Sequence, residues 1–371
     1  MDRIYLDNNA TTPLSDEVRR VLINEYAKLQ ANPSSSHFLG QQSKKKIQGA
    51  RKQIADFFKV KEKEILFHSG ATEGLNALIN SHIKQNPHGH ILSSYLDHAC
   101  IFHTLEKIKD KGYKVSFLQS DIEGIIDPCH LEKMIINSKP SLIILSGANS
   151  ETGVLLDIEN IGSICDHYNI PLVLDGVALL GKSHFNISPG ISAMVFSGHK
   201  IHAPKGTGFS FIRQSFRQEP LLTGGFQEFS LRAGTENLEG IVALAESVKN
   251  INQTDLNKIR NLRDLFESLL ETHVPSAIVN GSKKRNTNTS NISFMQQEGE
   301  TLLIQLDQNG VCASHGSACS SGGLEPSRVL RYMGLEKHRV KSAIRFSFSK
   351  FNTEDEIHRT IAVLKKILLL R

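Results

Sequence analysis

Short apolar runs alternate with amphipathic stretches over most of the chain. The runs at 65–67, 90–94, 114–119, 141–146, 171–174, 193–196 and 208–212 are rich in β-branched, leucine or aromatic residues, which predicts buried strands. Between them apolar residues recur at spacings of three and four, and this predicts helices. Examples are 73–83, 101–111 and 158–168, where Ile158, Ile161, Cys165 and Tyr168 share one side. At the start, a short strand at 4–6 and the polar turn Asp7 to Pro13 lead into a helix running to about 28. Ser15 caps it, and Asp16 and Glu17 in its first turn complement the helix dipole. A lysine-rich helix follows, with Ile47, Ala50, Ile54 and Phe57 on one face. Strands alternating with helices require crossover connections, so the expected fold is α/β: a large mixed, mostly parallel sheet with helices on both faces.

The pattern changes after a long helical region at 236–272. Strands at 278–281, 291–295 and 344–348 and helices at 299–309 and 353–370 predict a smaller α+β domain. Thr353 and Glu356 form a capping box, and Ile357, Ile361, Leu364 and Leu368 make the final apolar stripe. The expected division is a large domain at 14–255 and a small one made of 1–13 and 256–371. No repeats or low-complexity tracts interrupt it.

Composition narrows the function classes. The chain has 371 residues, 39% hydrophobic and 22% charged, with a net charge of +5, which is ordinary for a globular protein. Its one dense basic run, Lys44 to Lys46 with Arg51 and Lys52, lies on an amphipathic pattern and reads as a solvated helix face, so no nucleic-acid partner is expected. No apolar stretch reaches the roughly 18–20 residues of a membrane span. The first residues lack a signal-peptide pattern, and the expected location is cytoplasmic. Five irregularly spaced cysteines suit a reducing compartment, and no cluster of ligands suggests a metal site.

In open sheets of this kind ligands sit at the carboxyl ends of strands. The polar residues that end the predicted strands are Ser69, Asp97 and His98, Asn149 and Ser150, Asp175, and Ser197 to Lys200. Lys200 follows an apolar strand and the turn Ser197-Gly198-His199, a setting in which a lysine can be desolvated and form a Schiff base. Asp175 ends another apolar run, so its carboxylate needs a charged or hydrogen-bonding partner, for which a protonated pyridine nitrogen is suited. Ser69-Gly70-Ala71-Thr72-Glu73 is a strand–turn–helix junction whose first amides and Thr72 hydroxyl form an anion site. It matches neither GxxxxGK[ST] nor GxGxxG, which argues against a nucleotide. The His98 imidazole can stack on a ring or shuttle protons. Cys319 stands among small residues, Gly316 to Gly323, where a thiol is accessible for attack. Arg345 is a charge inside an apolar strand and suits a bidentate carboxylate.

With these residues assembled, the chain resembles the cysteine desulfurases of the NifS/IscS type, fold-type I pyridoxal phosphate enzymes of the class V aminotransferase group. The resemblance runs nearly end to end. It includes Tyr5-Leu6-Asp7-Asn8-Asn9-Ala10-Thr11-Thr12-Pro13, Ser69 to Glu73, Asn149-Ser150-Glu151-Thr152-Gly153 and Ser197-Gly198-His199-Lys200. Arg232-Ala233-Gly234-Thr235, Gly316-Ser317-Ala318-Cys319 and Leu324-Glu325-Pro326-Ser327 follow in order.

The resemblance implies pyridoxal 5′-phosphate as cofactor, L-cysteine as substrate, a homodimer, and a sulfur-acceptor or Fe–S scaffold protein as partner. It implies that Lys200 holds the pyridoxal and transfers protons, Asp175 pairs with the ring nitrogen, and His98 stacks on the ring and assists proton transfer as a catalytic residue. Gly70, Ala71, Thr72, Ser197 and His199 would hold the phosphate, with Thr235 from a second subunit. Arg345 would bind the substrate carboxylate, with Ser150 and Asn149 nearby. Cys319 would take the sulfur as a persulfide for Fe–S cluster assembly or tRNA thiolation. Two positions depart from the family pattern. Ser150 stands where an asparagine, and Ala178 where a glutamine, would face the cofactor's phenol oxygen. Their loss is expected to raise the imine pKa, each missing hydrogen bond being worth about 1 kcal/mol. A selenocysteine lyase or another class V pyridoxal phosphate lyase, and a weakly active cofactor-binding scaffold, are the alternatives.

Overall fold

The computed structural model describes residues 3–29, 31–295, 297–316 and 326–369. Its centre is a seven-stranded sheet in the order Ile65–His68, Gly208–Ile212, Ile191–Ser197, Leu172–Asp175, Leu142–Ser146, His90–Ser94, Lys114–Leu118. Gly208–Ile212 runs antiparallel to both its neighbours, and the remaining pairings are parallel. The sequence reason is visible within single strands. In Leu142–Ser146, Leu142 and Ile144 enter one hydrophobic cluster while Ile143 and Leu145 enter another. Alternate residues point to opposite faces, so apolar residues at every position mean that helices cover both. The parallel strands therefore end at one edge, and their last residues include His68, Ser94, Ser146, Asp175 and Ser197.

A three-stranded antiparallel sheet in the order Ala343–Ser347, Thr289–Phe294, Ala277–Val279 forms a second layer. It has its own core, including Phe266, Phe294, Phe346, Leu306 and Ile357. Ile4–Tyr5 at the start of the chain pairs with Val311–Cys312, which ties the first residues to this second body. Asn9 bridges inward to it: its amide donates to Thr289 Oγ1 (2.8 Å) and its carbonyl oxygen accepts from the Asn288 amide (3.0 Å).

Several local expectations hold. Ser15 accepts from the Val18 amide, and Thr353 and Glu356 exchange the two capping-box hydrogen bonds at 3.0 and 3.2 Å. Two differ. The helical region at 236–272 is two helices, Leu238–Lys249 and Gln253–His273, because Asn252 caps the second by accepting from the Asp255 amide. In the helix Phe38–Phe58, Phe57 is exposed and Phe58 packs on the core instead, against Phe196.

Candidate active site

The strand ends surround a cavity of about 600 Å³, within the size range of small-molecule and cofactor sites. The helix Ala71–Gln85 points its N-terminus at it. Gly70 precedes that helix and supplies no side-chain cap, so the dipole and the leading amides of Ala71 and Thr72 are available to an anion. Glu73 holds the turn shut: its carboxylate accepts from the Ser69 amide (2.9 Å), the Ser69 hydroxyl (2.5 Å) and Arg232 Nε (2.9 Å). Burial opposes ionisation here, but Arg232 and Ser69 hold the Glu73 carboxyl down at about 2.

Asp175 ends its strand buried, with Oδ1 accepting from the Val177 amide at 2.9 Å. Burial pushes its carboxyl up to about 6, against the pull of that amide and of Lys200 and Lys182. Lys200 closes the short turn Gly198–Lys200 that follows Ile191–Ser197. Its ammonium donates to the carbonyls of Asn9 (2.5 Å) and Ala10 (2.8 Å). His199 meets Thr11 Oγ1 at 3.2 Å, and burial, with Lys200 beside it, holds the imidazole down at about 4. The ring is therefore neutral at pH 7.

His98 caps the helix Ala99–Asp110 with its own ring. Nδ1 accepts from the Cys100 amide at 3.2 Å and lies 3.0 Å from Cys100 Sγ. A ring nitrogen that accepts a backbone N–H carries no proton, so the neutral tautomer has its proton on Nε2. Arg345 is 2% exposed in the middle of Ala343–Ser347. It donates to Asp7 Oδ1 (2.8 Å) and to the Ser150 carbonyl (3.2 Å), and its Nε has no partner among the described residues.

Lys200, Asp175, His98, Gly70, Ala71, Thr72, Ser150, Ser197, His199 and Arg345 all line this one cavity. Three expected residues do not join them. Asn149 is buried behind the wall, where its side chain donates to the Leu96 carbonyl and accepts from the amides of Glu151 and Thr152, so its hydrogen-bonding capacity is taken up by the turn. Thr235 is exposed and away from the cavity of its own chain. Cys319 lies outside the described residues. Sequence reasoning missed the loop Asp7 to Thr12 as part of the site, although it touches Lys200, His199 and Arg345. It also missed Lys182, a buried lysine in the cavity wall. Asp7 was legible in principle as a carboxylate abutting a short apolar strand, whereas nothing around Lys182 in sequence marks it. Among the described residues no group of three or more His, Cys, Asp or Glu side chains could hold a metal ion, and no helix is long and apolar enough to cross a membrane.

Residues 4–360 match the family model for class-V aminotransferases. The chain belongs to the class-V aminotransferase family. Within it, "Cysteine desulfurase 2" of Trichormus variabilis is 40% identical over 99% of this chain and 94% of its own length. The cysteine desulfurase NifS of Azotobacter vinelandii is 35% identical over 99% of this chain and 93% of its own. A solved NifS-like protein superposes with a TM-score of 0.92 at 29% identity, covering both chains in full. The family's cofactor is pyridoxal 5′-phosphate, and the cavity fits it. An uncapped helix N-terminus suits the phosphate. A buried carboxylate raised by desolvation suits a protonated ring nitrogen, and a lysine amine stands beside the opening.

Proposed function

We propose that this chain is a pyridoxal phosphate-dependent cysteine desulfurase, converting L-cysteine to L-alanine and holding the sulfur on Cys319. The observation that carries this reading is the meeting of Lys200, Asp175 and Arg345 at one cavity, in a chain whose full-length relatives are named cysteine desulfurases.

Pyridoxal phosphate, when bound, supplies an electron sink for the bonds broken at the substrate. Lys200 binds it covalently and moves the proton at the substrate's α-carbon. Asp175 would hold the protonated ring nitrogen, and His98 would pack against the ring and assist proton transfer. Gly70, Ala71, Thr72, Ser197 and His199 hold the phosphate, joined by Thr235 of a second copy in a homodimer. Arg345 exchanges Asp7 for the substrate carboxylate, for which its planar fork is suited. The Cys319 thiolate attacks the substrate sulfur. The carbon–sulfur bond breaks with its electron pair left on carbon, which takes a proton, so the products are L-alanine and a persulfide on Cys319.

A sulfur-acceptor or Fe–S scaffold protein in the cytoplasm then takes the sulfur for cluster assembly, with tRNA thiolation as a second outlet. Residues 14–255 form the cofactor-binding domain, and 1–13 with 256–371 form the second domain, which carries the Cys319 segment. Separate hydrophobic cores on the two sheets support that division. The test is mass spectrometry after incubation with L-cysteine. One added sulfur atom on the Cys319 peptide, absent in Lys200→Ala, is the expected result. Its absence from cofactor-loaded protein contradicts the reading.

A further inference from the structure

Lys182 stands in the cavity wall four residues beyond Ala178, and it has no part in the chemistry above. Its backbone is fixed. The Lys182 amide donates to the Leu179 carbonyl, and its own carbonyl accepts from both the amide and the hydroxyl of Thr287, each at 2.9 Å. The residue is only 4% exposed. A buried ammonium is retained at a cost unless something anionic meets it. Of the cations here, Arg345 has Asp7, and Lys200 has the carbonyls of Asn9 and Ala10. The Lys182 ammonium itself makes no hydrogen bond or ion pair among the described residues. Burial, with Lys200 and Arg345 nearby, holds its ammonium down at about 7, and Asp175 is the charge that supports it. Its own charge in turn bears on the His199 and His202 imidazoles.

An anionic oxygen placed beside Lys200 would complete this arrangement. In pyridoxal the phenol oxygen sits on the ring carbon next to the one whose aldehyde a lysine engages, so it enters close to Lys200. The two positions that the family pattern directs at that oxygen carry here a methyl, at Ala178, and a single hydroxyl, at Ser150. We propose that Lys182 binds the cofactor's phenol oxygen through its ammonium, in place of the amide side chains that the family pattern has at positions 150 and 178. This rests on pyridoxal phosphate binding as described above.

The experiment is a pH titration of the visible absorbance of the lysine-bound cofactor in the parent protein, Lys182→Met and Lys182→Arg. A cation at the phenol oxygen favours the unprotonated imine. Lys182→Met therefore moves the midpoint up by about one pH unit or more, a tenfold change in proton affinity, and loses cofactor faster on dialysis, while Lys182→Arg stays near the parent. The same variants are melted without cofactor. A lysine kept for the cofactor is a burden on the empty protein, so cofactor-free Lys182→Met unfolds at a higher temperature than the parent. An unchanged midpoint in Lys182→Met overturns the proposal. So does a cofactor-free Lys182→Met that is destabilised or fails to fold, since that marks the residue as structural. A parent protein with no visible band fails at the earlier step, the binding of pyridoxal phosphate itself, and takes this proposal with it.

Discussion

Asp175 shows how a single side chain can be held ready for a ligand at the expense of the empty protein. Its folded value of about 6 lies above the ordinary 3.8 because burial penalises the charge. A carboxyl raised in this way favours the native state only at low pH, and the penalty is complete above about pH 6. Cofactor-free Asp175→Asn is therefore more stable than the parent at pH 8, by on the order of 3 kcal/mol. The difference shrinks as pH falls through 6 toward 4, which thermal melts at several pH values read directly. In the loaded protein the same substitution weakens cofactor retention. Arg345 makes the converse case. Arg345→Lys keeps the charge but loses the fork, and the KM for L-cysteine rises by about tenfold to a hundredfold, the range for one or two charge-assisted hydrogen bonds. At this scale the sequence was readable wherever a polar residue ended an apolar run, as at Asp175 and Lys200. It misplaced Asn149, which has the same position in the pattern and was expected beside the substrate, but turns its side chain to the Leu96 carbonyl and to its own loop. The choice between cavity and turn depends on a rotamer that spacing does not encode.

Elements were legible where their signals are local. Ser15 and the pair Thr353–Glu356 act within one helical turn, and both caps form. Removing the second one by Thr353→Ala is expected to destabilise the protein by about 1 kcal/mol, seen as a lower urea midpoint, and to speed amide exchange in Glu354–Leu369. Pairings between distant segments left no such local mark. The strand Val311–Cys312 is two residues long and exists because Ile4–Tyr5 lies beside it. Nothing within those residues announces a partner some three hundred positions away. The break between Leu238–Lys249 and Gln253–His273 was missed for a different reason. Apolar periodicity continues across it, and the Asn252 cap that ends it reads equally well as a solvated position.

For the whole molecule, alternation of strands and helices was enough to fix an α/β sheet with its strand ends on one edge, because buried parallel strands and crossover helices imply each other. The site, however, is completed from the other body: Arg345 lies on the three-stranded sheet, and Asp7 to Thr12 come from the first residues of the chain. Buried imidazoles spread through the structure give the molecule a pH signature. Burial holds His68, His82, His199 and His202 at about 4, below their ordinary 6.5. Groups depressed in this way contribute stability that is complete above 6.5 and lost as pH falls toward 4. Asp97 and Asp175, both raised to about 6, work in the opposite direction over an overlapping window. Four against two, the histidines prevail, and the unfolding temperature of the cofactor-free protein is expected to fall between pH 7 and pH 5.

This protein is a cysteine desulfurase, and its activity is read as the release of alanine from L-cysteine. The most direct measurement is alanine release from L-cysteine, with a thiol reductant to release the sulfur, by protein carrying a full complement of pyridoxal phosphate. Continuous release of alanine with matching sulfide, abolished in Lys200→Ala, is the predicted result. Alanine no higher than in the Lys200→Ala control, despite full cofactor occupancy, would contradict it.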